Sequence, residues 1–159
     1  MLKDYPWLYL RDERPGENIG DAVELLTVGD VLVGRGVVDQ KAPFENSASW
    51  LRLADLTLGN LEGVMVQDES SDLPFADPGY AAYRLLAPAS AVTMLKQAGF
   101  DLLGLANNHA WDGGAAGLEQ TVSLLERSSI TPIGVVKPGA RNPEVVFVPR
   151  CDGASGSSP

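Results

Sequence analysis

The sequence predicts an α/β fold with a mainly parallel sheet flanked by helices. Three observations predict it. Short apolar, partly β-branched runs recur along the chain. Stretches with helical spacing separate them. Three of the runs end in polar groups: Gly29-Asp30, Gly59-Asn60-Leu61-Glu62 and Asn107-Asn108-His109. Alternating strands and helices favour parallel strands joined by right-handed crossovers. In open sheets of this kind, ligands collect beyond the strand ends.

The elements follow in order. Residues 1–22 read as an irregular entry segment with a charged turn at 11–16. Residues 24–28 (Glu-Leu-Leu-Thr-Val) predict a buried strand that stops at Gly29-Asp30. A Gly-punctuated loop over 31–38 contains Arg35. A short helix is expected over 45–54, with Ser47 or Asn46 as cap and Trp50, Leu51 and Leu53 facing the core. A second strand covers 55–59. The acidic stretch 65–80, with Pro74, Pro78 and Gly79, predicts a long loop. Residues 83–86 read as another strand. Pro88 suits the first turn of a helix reaching Gln97, with Ala91, Val92, Leu95 and Ala98 inward and Gly99 as its stop. A third strong strand spans 101–105. The helix at 114–127 is expected to bury Leu118, Val122 and Leu125. Residues 131–135 and 144–148 predict two more strands. The Ser/Gly-rich stretch 150–159 reads as disordered tail. The domain thus spans 23–149.

Composition narrows the function. The chain has 159 residues, 45% hydrophobic and 21% charged, which suits one globular domain. A net charge of −9 argues against nucleic acid, whose binding needs Lys and Arg against phosphate. No Lys or Arg lies between Arg52 and Arg84, but Asp55, Glu62, Asp68, Glu69, Asp72 and Asp77 do. No apolar run reaches the ~20 residues needed to span a bilayer. The N-terminal residues lack the basic start and apolar core of a signal peptide. These features leave the cellular location open. Cys151 is the single cysteine, so no internal disulfide is possible.

If the strands are parallel, their polar ends converge. Carboxylates, amide carbonyls and an imidazole are ligands for Mn, Fe, Zn or Mg, and such an ion holds phosphate or activates water. Each group also has a structural reading: Asp30 as a turn residue, Asn107-Asn108 as a turn and cap, His109 as a hydrogen-bonded core group, Asp112 as a cap of the helix beyond Gly113. Arg35, flanked by glycines, is either a surface residue or an anion contact.

The motifs Gly29-Asp30-Val31-Leu32-Val33-Gly34-Arg35, Leu58-Gly59-Asn60-Leu61-Glu62 and Ala106-Asn107-Asn108-His109-Ala110-Trp111-Asp112-Gly113-Gly114 resemble, in order and spacing, those of the CapA family. That family comprises bacterial capsule synthesis proteins associated with poly-γ-glutamate and is related in fold to calcineurin-like metallophosphoesterases. The resemblance covers about 25–134. It implies metal ligation by Asp30, Asn60, Glu62 and Asn108, with His109 facing the reacting phosphate. Arg35 and Asn107 are the candidate substrate or phosphate contacts, and Asp112 orients His109. It also implies the capsule polymer, or subunits of a capsule-synthesis complex, as partners.

Three departures stand out. Leu32 occupies the place of a usual His, Ala110 that of a usual acid, and Asn60 that of a bridging carboxylate, which makes Glu62 the better ligand. His109 is the sole histidine, whereas the family carries later His motifs. The chain therefore reads as the N-terminal half of a truncated domain, with an uncovered sheet that favours self-association. Two other functions compete: a non-catalytic scaffold or polymer-handling module, and a general metallophosphoesterase outside capsule biology.

Overall fold

The computed structural model describes residues 23–37, 43–67, 83–136 and 145–148. The entry segment 1–22, the acidic residues 68–77, Cys151 and the tail 150–159 lie outside them. In chain order the described elements are β1 (Leu25–Val31), α1 (Ala48–Leu51), β2 (Leu56–Leu61), β3 (Val64–Val66), β4 (Leu86–Pro88), α2 (Ala91–Ala98), β5 (Leu102–Gly104), α3 (Gly114–Arg127) and β6 (Thr131–Ile133). Four strands form one sheet in the order β1-β2-β5-β6. All its pairs are parallel. β3 and β4 make a separate two-stranded parallel sheet. The α/β architecture expected from the alternation is therefore the one observed.

The core is one cluster of side chains drawn from both sheets and from the helices. Leu61, Leu95, Phe100, Leu103, Leu105, Leu125 and Ile130 are fully buried. α2 buries Ala91, Val92, Leu95 and Ala98, and ends at Gly99, whose N–H returns to Leu95 O and Lys96 O. Asp101 ties the two inner strands together. Its N–H donates to Thr57 O at 3.0 Å, and its Oδ2 accepts the Thr57 N–H at 2.9 Å. Thr121 does the same between α3 and β3. Its Oγ1 accepts the Met65 N–H at 2.8 Å and bonds Gly117 O at 2.8 Å. A hydroxyl can sit in this core because both its donor and acceptor roles are used.

Several expectations are corrected. β1 runs through Gly29-Asp30 to Val31, with an irregular register between Thr27 and Asp30. It is not a buried strand: Leu25 is 56% exposed, because among the described residues β1 sits at the sheet edge with β2 as its single neighbour. The first helix is one turn, Ala48–Leu51. Leu51 is buried, while Trp50 and Leu53 are exposed, and Ser47 makes no side-chain cap bond. Val64–Val66, whose last two residues are expected to open the 65–80 loop, is a buried strand paired with β4. Pro88 closes β4 and does not open α2, since the Ala89 N–H bonds Val66 O at 2.9 Å. α3 has the expected bounds, but it lays Gly117, Thr121 and Leu125 inward and leaves Leu118 and Val122 half-buried. Residues 145–148 pair with no strand among the described residues, and Val145 and Phe147 stand exposed.

A groove of about 1000 Å³ opens between α3 and β6, lined by Trp111, Leu118, Val122, Ile133, Val135 and Val146 among others. Among the described residues no helix is long and apolar enough to cross a membrane.

Candidate functional site

The parallel register sets the site. Asn60, near the C-terminal end of β2, stands opposite Asp30 of β1 on one side and Gly104 of β5 on the other. The chain leaves β5 through Leu105-Ala106 into the Asn107–Gly113 turns that precede α3. Asp30, Asn60 and the Asn107–Asp112 loop thus share one edge of the sheet.

Their side chains form a continuous chain of hydrogen bonds. Asn60 Nδ2 donates to Asp30 Oδ1 at 2.7 Å. Asn107 Nδ2 donates to Asn60 Oδ1 at 3.0 Å and to Leu61 O at 2.9 Å. Asn107 Oδ1 accepts the His109 N–H at 3.0 Å. These partners fix both amide orientations, because each oxygen faces a donor and each nitrogen an acceptor. Asn107 uses both its N–H donors inside the protein. It reads as the hub that holds the loop against β2.

The next link is His109 Nδ1 to Asp112 Oδ2, at 2.7 Å. The Asp112 side chain is 1% exposed and the His109 side chain 17%. Asp112 Oδ2 also accepts the Leu85 N–H at 2.6 Å. A carboxylate accepts, so Nδ1 carries the hydrogen and Nε2 is left as the open nitrogen. Asp112 does not cap α3, whose N-cap is Gly113 with no side-chain bond. Its carboxylate turns back to the imidazole instead. The Leu85 amide is the one member of this arrangement that sequence reasoning missed. It lies 27 residues from Asp112, and no local pattern marks a backbone donor at such a distance.

The remaining candidates lie nearby but outside the network. Glu62 follows β2 directly, with its N–H on Val31 O at 3.1 Å. Arg35 sits on the turn after β1, exposed and at φ +54°. Asn108 is exposed on the loop beside His109. Among the described residues no three His, Cys, Asp or Glu side chains stand close enough together to hold a metal ion. The oxygen donors here suit a hard divalent cation in type but not in number. The groove beside α3 touches the site through Trp111 and is otherwise separate from it.

Comparison with known proteins adds the family. Residues 24–155 match the family described as Bacterial capsule synthesis protein PGA_cap. The chain belongs to this family. Capsule biosynthesis protein CapA of Bacillus anthracis is 28% identical over 120 residues, covering 72% of this chain and 28% of that protein. Two proteins of Sinorhizobium fredii (strain NBRC 101917 / NGR234), the uncharacterized y4uA and y4sH, are each 36% identical over 120 residues, covering 74% of this chain and 26% of theirs. This member of the capsule synthesis family therefore spans about a quarter of the length of the curated relatives it matches. The matched span contains Asp30, Asn60, the Asn107–Asp112 loop and Leu85.

Proposed function

We propose that the chain serves poly-γ-glutamate capsule synthesis in the manner of CapA, and that His109 is the group that meets the reacting phosphoryl or carboxyl oxygen. The observation that carries this is the buried Asp112 carboxylate on His109 Nδ1. It holds the imidazole in one orientation and one tautomer, with Nε2 open to give or take a proton. Fixing a proton-transfer group before a ligand arrives removes an ordering cost from the reaction.

A divalent cation (Mn, Fe, Zn or Mg) belongs to the same reading. Asp30, Asn60, Glu62 and Asn108 are the side chains that would hold it, and it would supply positive charge for an anionic substrate. Asn60 would have to release the Asn107 amide to offer its oxygen. The partners that fit are the capsule polymer and other subunits of a capsule-assembly complex.

A second reading is favoured by the same hydrogen-bond chain. Asp30, Asn60 and Asn107 satisfy one another, as a structural network in a non-catalytic polymer-handling module would. Calorimetric titration with Mn²⁺, on this chain and on Asp30→Ala, separates the two. The first reading expects binding that the substitution weakens, and no binding by the parent chain favours the second. Turnover of a generic phosphoester, with none of poly-γ-glutamate, would move the protein out of capsule chemistry altogether.

A further inference from the structure

Arg84 carries an unmet demand. Its Nε is buried and has no hydrogen-bond partner. Among the described residues the ion pair found is His109–Asp112, so no carboxylate there neutralises this guanidinium. That is unexpected in a chain with 21 acidic residues against 12 Lys and Arg. A buried donor left without an acceptor costs stability, and each such case in a folded protein calls for a reason. An acceptor brought by a ligand is one.

The position of Arg84 indicates which ligand. It immediately precedes Leu85, whose N–H holds the same Asp112 oxygen that holds His109. The Leu85–Leu86 backbone is pressed against two glycines. A Cβ on Gly63 would come within 2.5 Å of Leu85 O, and one on Gly34 would run into Leu86 O. Arg35 follows Gly34 directly. The two arginines thus come from segments in backbone contact, and Leu85 links the Arg84 segment to His109 through Asp112. Guanidinium groups present paired N–H donors that match the oxygens of carboxylate or phosphate.

We propose that Arg84, assisted by Arg35, forms an oxyanion subsite that seats a phosphate or carboxylate group of the ligand beside His109. This rests on the reading that His109 faces a ligand. It reverses the local field of an acidic protein at one point, where an anionic polymer or phosphoester must approach.

The sole histidine gives a clean probe. The isotopically labelled chain is titrated with inorganic phosphate, and separately with γ-glutamylglutamate, while His109 ring signals and calorimetric heats are followed. Saturable binding that shifts the His109 signals is expected for at least one ligand, and which one identifies the source of the oxyanion. Arg84→Gln should weaken it by about tenfold or more, the loss of one charge-assisted pair. Arg84→Lys, which keeps the charge without the fork, should recover part of it. Arg35→Gln should weaken it less, by about threefold, since Arg35 is exposed.

Unchanged Kd values in Arg84→Gln, or no binding of either ligand by the parent chain, overturn the proposal. If Arg84→Gln fails to fold, the partial loss in Arg84→Lys decides in its place, and parent-like affinity there overturns the proposal too. Binding that is lost in Arg84→Gln but leaves the His109 signals unmoved keeps the subsite and removes His109 from the ligand. That outcome separates a failure of the functional reading from a failure of this one.

Discussion

The two ends of the hydrogen-bond chain differ in how they are held. At the His109 end, the loop leaves an inner strand, β5, and the Asp112 carboxylate is sealed between the imidazole and the Leu85 amide. At the Asp30 end, the carboxylate lies on the edge strand β1, where six of seven residues are not buried, and the bond from Asn60 is an exposed one. Folding has already set the geometry of the first end. The second keeps charge and freedom. Preorganised general acid–base groups belong on rigid elements, whereas a group that exchanges its partners for an incoming ligand does better where water reaches it. The difference separates what the fold orients from what a ligand must complete.

The contrast breaks first in the strands beneath the site. Leu103→Ala, at a fully buried position of β5, should cost about 2–5 kcal/mol through lost burial and the cavity left behind. Leu25→Ala on exposed β1 should stay within about 0.5 kcal/mol. Urea unfolding followed by circular dichroism measures both, and similar costs would mean that β1 is covered in solution.

Asp112 comes next. Asp112→Ala leaves the Leu85 N–H and His109 Nδ1 without their acceptor in a buried place, and should cost about 2–4 kcal/mol. Asp112→Asn keeps one oxygen, which can still accept both donors, but it removes the charge that favours Nδ1–H and allows the amide NH₂ to turn toward the ring, so the His109 tautomer should become mixed, as ¹⁵N ring shifts would report. A ring that stays in the Nδ1–H form in Asp112→Asn would show that something other than Asp112 orients it. Asn107→Ala removes three bonds at part-buried positions and should cost about 1–3 kcal/mol in the same unfolding assay.

The same contrast explains what could be read from the sequence. α3 was legible to its end residues, because a 14-residue amphipathic stretch between Gly113 and Ser128 has one reading. Which of its residues turn inward was not, since Gly117 and Thr121 are inward because β3 packs there, and β3 itself is three residues with no alternation. β1 looked buried because Leu-Leu-Thr-Val is apolar. Its exposure follows from sheet order, which no local run encodes. The polar strand ends at Asp30, Asn60 and Asn107 were legible as one group, because parallel strands bring their C-terminal ends together. The Leu85 amide and the orphaned Arg84 nitrogen were not, because both depend on how β4 is placed against the 34–35 turn and Gly63.

Among the polar groups of the site, Asp30→Ala should have the smallest effect on folding. It removes one exposed hydrogen bond, and water can take the place of the lost carboxylate at Asn60 Nδ2. A cost below about 1 kcal/mol is expected. The same substitution should have a large effect on Mn²⁺ affinity, because Asp30 is the one carboxylate in the hydrogen-bond chain on this side of the site. The two measurements must therefore diverge for Asp30 and coincide for Asp112, whose loss damages folding and His109 orientation together. If Asp30→Ala unfolds as readily as Asp112→Ala, the edge carboxylate is a structural group and the network is its own purpose. If it folds normally and loses the cation, the open end is where the ligand enters.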